Sequence, residues 1–259
     1  MLVAVASPAA ARCLGSADPV VVRQEIEIGR DPVAAVDSIA KEISRTDPSN
    51  KARLAERYLV QSIALSMSGS SPAEAAEKAR RAASGFAPGH PVNLMLRLGE
   101  FDGREDVAAK ARLLSSVERD VRSLPAGSAT KTCRGVDLAF YNTLVDNPRK
   151  AFAFGSQAYR NSAGDGKSPY RAAAASMLAY LVSIGHDFEY AQQLHSEALE
   201  AHLDLGMADL AANDLVLRGY TFLSDSQPHE ALEDFAASAE QARSYGNQDA
   251  VDYALLGVC

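Results

Sequence analysis

Apolar residues recur along this chain at intervals of three and four positions, the spacing of a helix with one buried face, as in the stretch 194–203. Turn-forming residues separate these stretches. At Asp18-Pro19 and Ser168-Pro169 the first residue can cap a helix and the proline fits its first turn. The pattern predicts six pairs of helices. Their bounds are 19–29 with 31–45, 51–68 with 72–85, 91–101 with 104–123, 131–145 with 148–162, 169–184 with 187–204, and 207–224 with 228–245.

Two columns of small residues recur about every 40 positions and indicate an internal repeat. A Pro-x-x-Ala pattern marks the start of each second helix, and relaxing it to include Ala111 and Ala191 completes the series. The column is then Ala35, Ala75, Ala111, Ala151, Ala191 and Ala231. A second column lies in the first helices of the later pairs, at Gly99, Ala139, Ala179 and Gly219. Small side chains at these places let paired helices approach closely.

These columns resemble the tetratricopeptide repeat, whose first helix carries a large apolar residue followed by Leu-Gly. Its second helix carries Ala and an aromatic residue four positions later, here Ala231 and Phe235. The resemblance covers about residues 20–259, with units longer than the usual 34 residues. It implies an all-α, right-handed superhelix of about six and a half helix pairs, forming one domain over residues 12–259. Such long units resemble those of bacterial signalling and regulatory proteins.

The first residues differ from the repeat. Ala9 and Ala11 have the spacing that signal peptidase requires, with cleavage before Arg12, but no basic segment precedes them. We interpret residues 1–11 as the tail of a secretory signal; a frayed N-terminal helix is the alternative. A periplasmic or exported protein is therefore expected, with the cytoplasm as the alternative. No stretch approaches the roughly 20 apolar residues of a membrane span, so direct membrane insertion is not expected.

The last residues, 253–257, repeat the pattern of a first helix. A stack of repeats needs a capping element with a polar outer face, and this segment is apolar. We therefore expect the chain to end within a unit and to be part of a longer protein. The alternative is that this helix itself caps the stack.

The three cysteines, Cys13, Cys133 and Cys259, are about three repeats apart. In a solenoid with roughly 10 Å between units, a separation of three units exceeds the Cα distance that a disulfide allows. Unpaired thiols are expected.

Charge and motifs argue against several functions. The net charge of −7 disfavours nucleic acid as a partner. The glycine-rich segment 161–168 lacks the first glycine and the preceding strand of a phosphate-binding loop, so a connection between units is expected. His195 and His202 are seven positions apart, and His195 is expected in the core rather than at a metal. No catalytic residue, cofactor or metal site is expected, and any enzymatic domain would lie outside this chain.

The register nevertheless predicts a binding surface. Phe140, Tyr180 and Tyr220 each follow the small residue of a first helix. In the tetratricopeptide family this position tends to face the concave groove where protein or peptide partners bind. Asn213, two turns before Tyr220, could hold a peptide backbone. The alternative is that the long units bury these rings against an adjacent helix.

The expected function is binding of a protein or peptide on the concave face. The resemblance suggests the exported sensory part of a bacterial signalling protein, ahead of a diguanylate cyclase (GGDEF) or histidine kinase domain. A stand-alone scaffold for protein complexes is the alternative. A homodimer is compatible with either function.

Overall fold

The chain is all-α. The computed structural model describes residues 13–101, 103–104, 106–244 and 248–257, and these residues contain no strand. The predicted signal remnant and Cys259 lie outside this part of the chain. The helices are α1 (Pro19–Arg30), α2 (Pro32–Arg45), α3 (Lys51–Met67), α4 (Ala73–Ala82), α5 (Pro91–Leu98), α6 (Val107–Arg122), α7 (Ala129–Leu144), α8 (Pro148–Asn161), α9 (Pro169–Ile184), α10 (Phe188–Asp204), α11 (Ala208–Ser224), α12 (Pro228–Ser244) and α13 (Gln248–Leu256).

The predicted helices are present, and local signals explain where they begin. Asp18 accepts a hydrogen bond from the backbone N–H of Val20, and Ser168 accepts one from that of Arg171. A proline follows each of these caps in the first turn, where its missing N–H costs nothing. The largest differences from the predicted bounds, about three residues, occur at the ends of α4 and α5 and at the start of α6.

The turns within the last three helix pairs are equivalent to one another. Asp146, His186 and Ser226, 40 residues apart, all have positive φ, at 54°, 65° and 60°. After each of them a backbone N–H returns to a carbonyl five residues earlier. Asn147 donates to Asn142 at 2.9 Å, Asp187 to Val182 at 3.2 Å and Gln227 to Phe222 at 2.9 Å. This left-handed turn satisfies carbonyls that the helix end would otherwise leave unpaired.

Five of the six predicted alanines lie in the core: Ala35, Ala75, Ala151, Ala191 and Ala231 are at most 3% exposed. Ala111 is exposed, and its assignment to the column was wrong. In α6 the buried positions are taken by Leu114 and Val117 instead. These larger side chains remove more apolar surface from water than an alanine can, so they set which face of α6 turns inward.

The second column is confirmed in the later pairs. Ala139 and Ala179 are fully buried, and a Cβ on Gly219 would lie 2.8 Å from the ring of Phe235. Only glycine lets that ring pack against α11. Gly99 departs from the column, since it caps the short helix α5 and is exposed.

Helix α1 packs on two sides. Val21 and Ile28 share a buried cluster with Ile39 of α2 and Leu59 of α3. On its other side Ile26 packs against a cluster that includes Leu210 of α11. The first helix pair therefore contacts both its sequence neighbours and a pair near the other end of the chain.

The expectation of unpaired cysteines was wrong for Cys13 and Cys133. A disulfide joins them, with Cα atoms 5.7 Å apart. The spacing argument assumed that each unit touches only its neighbours. Residues 13–18 instead cross to the beginning of α7, where the hydroxyl of Thr130 donates a hydrogen bond to the carbonyl of Gly15 at 2.6 Å.

Cys133→Ser is expected to lower the free energy of unfolding by about 2–5 kcal/mol, because the disulfide closes a long loop in the unfolded chain. Urea denaturation with and without a reductant measures this. Reductant should destabilise the parent protein and leave the variant unchanged. Equal stability of the oxidised and reduced parent would contradict the prediction.

His186→Gly is expected to raise the free energy of unfolding by about 0.5–1 kcal/mol, because a side chain at positive φ crowds the following carbonyl. Thermal unfolding measures the change. The matched control is Gly69→Ala, at φ 75° in open space, which should lower stability by about 1 kcal/mol. Loss of stability in His186→Gly would show that the imidazole has a role of its own.

Candidate functional site

Helices α7, α9 and α11 present equivalent residues at 40-residue intervals, and one face of the three is the candidate site. Positions seven apart lie nearly two helical turns apart and so share a face. Three pairs have this relation: Cys133 with Phe140, Ala173 with Tyr180, and Asn213 with Tyr220. We call this surface the shared face.

The chain itself covers the N-terminal halves of the shared face with residues 13–30, here called the N-terminal strap. Cys13, Cys133 and Tyr170 form one buried cluster, against which Val22 of α1 packs. The hydroxyl of Tyr170 also lies 3.3 Å from the carbonyl oxygen of Ser16. The N-terminal part of the shared face is therefore occupied by the chain itself.

Ionisable groups are buried where the strap crosses α7 and α9. Glu25 accepts hydrogen bonds from the backbone N–H of Leu14 and, at 3.0 Å, from the hydroxyl of Tyr170. The guanidinium of Arg134 donates to the carbonyl of Cys13 and lies 3.0 Å from the carboxylate of Asp137. Strap and shared face are thus joined by charged and polar contacts as well as by the disulfide.

Burial in this cluster changes the acidity of both carboxyl groups. Loss of solvation raises the pKa of Glu25 to about 7, although its hydrogen bonds and Arg134 act in the opposite direction. Loss of solvation likewise raises the pKa of Asp137 to about 7, against the attraction of Arg134. An ionised carboxylate is costly to remove from water, so these groups hold their protons to near-neutral pH.

Of the four predicted site residues, Phe140, Tyr180 and Tyr220 lie on the C-terminal halves of the shared face, and Asn213 lies on the N-terminal half of α11. Phe140, Tyr180 and Tyr220 are half-buried, as is Asn213. The ring of Tyr220 packs edge-on against Phe235 at a centroid distance of 5.1 Å. Phe140 and Tyr180 both pack against one buried cluster in α7–α9. The rings are therefore partly buried between helices, and each keeps an exposed part.

Sequence reasoning missed three aliphatic residues beside these rings. Leu144, Ile184 and Leu223 are 47%, 54% and 40% exposed. They follow Phe140, Tyr180 and Tyr220 by three or four positions, so ring and aliphatic side chain are neighbours on each helix. The 40-residue interval relates Leu144 to Ile184, whereas Leu223 lies 39 positions beyond Ile184, so the interval alone does not find all three. We call the six residues the apolar strip.

One buried network contains the residue types of a hydrolase but not their arrangement. Asp214 lies in its middle, 2.7 Å from the hydroxyl of Ser176 and 2.6 Å from Nδ1 of His202. A nucleophilic serine instead needs the histidine as its own base. All three side chains are at most 1% exposed, so the network stabilises the packing of α9, α10 and α11.

His195 is a core residue, as predicted, and is 1% exposed. Burial lowers its pKa to about 4, so it is neutral at physiological pH. Within the described residues, no three His, Cys, Asp or Glu side chains are placed to hold a metal ion. None of the described helices has the length and apolarity needed to cross a membrane.

The glycine-rich segment connects α8 to α9, as predicted. The ammonium of Lys167 lies 2.6 Å from Glu200 and 2.5 Å from Asp204 on α10. This lysine pairs with acids of the chain itself, in contrast to the phosphate contact that a nucleotide-binding loop would make.

Comparison with known proteins supports the fold and does not extend to function. No protein-family model matches the chain, and no match was found among curated proteins. Among solved structures, the crystal structure of BtubC (BKLC) from P. vanneervenii is similar, with a TM-score of 0.55 and 17% sequence identity. The alignment covers 88% of this chain and 92% of that one. At this identity the similarity shows a shared helical fold alone.

Glu25→Gln is expected to weaken the pH dependence of stability. The unfolded chain releases this proton near pH 4.5 and the folded protein holds it to about pH 7, so stability falls across that interval and then levels off. Glutamine at position 25 has no such proton, so over this pH interval the variant should lose about 3 kcal/mol less of its free energy of unfolding than the parent. Urea denaturation at pH 4.5 and pH 7.5 measures the difference.

Asp137→Asn is the matched variant, since the pKa of Asp137 is raised in the same direction. It should also reduce the fall in stability towards neutral pH. An identical difference between the two pH values in parent and Glu25→Gln would contradict the prediction.

Proposed function

We infer that the chain is an exported module of tetratricopeptide-like helix pairs that binds another protein through the apolar strip. The architecture proposed is a right-handed superhelix. It is supported by the buried alanine column, by the equivalent turns at Asp146, His186 and Ser226, and by the similarity to BtubC.

The observation that carries the binding function is the exposure of Leu144, Ile184 and Leu223 beside three aromatic rings, one set on each of three helices. Scattered single apolar residues are normal on a protein surface, whereas exposed aliphatic residues beside aromatic rings, repeated on three helices, favour an interaction site. Aromatic rings add contact area at little entropic cost, which suits them to the centre of an interface.

The disulfide supports export. Cross-links of this kind form and persist outside the reducing cytosol. It agrees with the signal-like spacing at Ala9 and Ala11, and the alternative remains a cytoplasmic protein in which the two thiols stay reduced.

Within this function, we propose the sensory part of a bacterial signalling protein, with partner binding altering curvature or dimerisation of the module. That assignment rests on the resemblance of the long units alone, because fold does not specify function. The gene sequence on either side tests it; a gene without a membrane span or output domain would favour the stand-alone scaffold.

A photo-crosslinking amino acid at position 184, introduced in the native host, is expected to capture a discrete partner, because Ile184 is the most exposed residue of the apolar strip. The matched control is position 107 on α6, where Val107 is 65% exposed but lies outside the apolar strip. Adducts are measured by gel shift and mass spectrometry.

The captured band should disappear when Leu144→Ser and Leu223→Ser are added, and Tyr180→Ala should weaken it. No adduct at position 184, or the same adduct at position 107, would overturn the proposed binding surface.

A further inference from the structure

We propose that the apolar strip takes an amphipathic helix of the partner, carrying lysine or arginine along the edge that faces the turns of the repeat. This inference rests on the proposed function and adds the chemistry of the partner.

The N-terminal strap shows that the shared face accepts a helix. Helix α1 lies across the N-terminal halves of α7, α9 and α11 and uses apolar residues three or four positions apart. Val22 packs by Cys133 and Tyr170, and Ile26 packs by Met207. A Cβ on Gly29 would lie 2.7 Å from the methyl carbon of Met207, so the backbone of α1 lies close to α11.

The apolar strip continues this interface. Phe140 and Tyr180 lie seven positions beyond Cys133 and Ala173, which places them about 10.5 Å further along their helices. Packed helix axes are about 8–10 Å apart, so the distance from the strap's contacts to the apolar strip is about the width of one helix. A ligand helix presents residues i, i+7 and i+14 about 10.5 Å apart along one face, close to the roughly 8–10 Å between packed helix axes.

The charge beside the apolar strip is acidic. Asp146, Asp187 and Asp225 lie in the turns that follow Leu144, Ile184 and Leu223. Asp146 and Asp187 are exposed and Asp225 is half-buried.

The local hydrogen bonds of these acids use neutral donors. Asp187 accepts from the backbone N–H of Tyr190, and Asp225 accepts from the side-chain amides of Gln192 and Gln227.

Among the described residues, few basic side chains lie near the turns that contain these three aspartates. Lys150 pairs with Glu118 at 2.8 Å, and Arg149 is exposed at the α7 end. The chain also has a net charge of −7. A helix with a cationic edge therefore complements these acidic turns, whereas a helix with an acidic edge is repelled by them.

Two synthetic 18-residue helical peptides test this. Both carry the same leucine face, with spacing i, i+3, i+7, i+10 and i+14, and a fluorescent label; one has lysine along its polar edge and the other glutamate. Fluorescence anisotropy with the full chain at low and at 0.3 M salt gives their affinities. The lysine peptide should bind at least tenfold more tightly at low salt, and added salt should narrow the gap.

Substitutions in the acidic turns and in the apolar strip test the two contributions to peptide binding separately. Asp146→Asn, Asp187→Asn and Asp225→Asn together keep the local hydrogen bonds and should remove most of the preference for the lysine peptide. The matched control neutralises three exposed acids near α2–α4, as Asp37→Asn, Asp47→Asn and Glu74→Gln, and should leave it intact. Ile184→Ser with Leu223→Ser should weaken both peptides at least tenfold.

Equal affinity for both peptides, or equal loss in the control triple variant, would overturn the cationic edge. Peptide affinity that is unchanged by Ile184→Ser with Leu223→Ser would show that the peptide binds elsewhere and would overturn the inference. If neither peptide binds while position 184 still captures a partner, the inference fails and the proposed function stands. If neither peptide binds and no partner is captured, both fail.

Discussion

The crossing of the N-terminal strap over α7, α9 and α11 is the contact on which the arrangement of the other helices depends. In a stack where each pair touches only its neighbours, small angles at every junction would set the distance between first and later pairs. Here α1 packs on α2 and α3 with one face and on α9 and α11 with another, and the Cys13–Cys133 disulfide anchors its leading segment to α7. The distant pairs are therefore held together directly, and a change in the strap acts on several pairs at once.

The same contact divides the shared face into two parts with different chemistry. Its N-terminal halves are closed by the strap, and Glu25 of the strap is buried there beside Arg134 and Asp137 of α7. The burial of the two carboxyl groups makes this junction sensitive to pH near neutrality. Its C-terminal halves carry the apolar strip beside acidic turns. A partner bound on the apolar strip, as proposed, would meet a surface whose position is fixed by the strap beside it, and this would lower the entropic cost of binding compared with a flexible stack.

Much of the helical framework could be predicted because its signals are local. Caps and prolines such as Asp18-Pro19 fix where helices start, and the alanine column is buried at five of six positions. The prediction failed at Ala111 because the choice of buried face in α6 depends on competition with Leu114 and Val117, which spacing from distant units does not record. The aromatic row was found from the same register, whereas Leu144, Ile184 and Leu223 were not, since exposure depends on how much of each helix end its neighbours leave uncovered.

By itself the sequence determined the helix pairs, their 40-residue register and the positions of Phe140, Tyr180 and Tyr220, because periodicity and capping are properties of neighbouring residues. Only the tertiary structure decided that Cys13 meets Cys133, that Glu25 is buried beside Tyr170, and that the strap closes half of the shared face. These contacts join residues more than a hundred positions apart. Whether these contacts form depends on the sum of the angles between successive helix pairs. No local pattern in the chain encodes that sum.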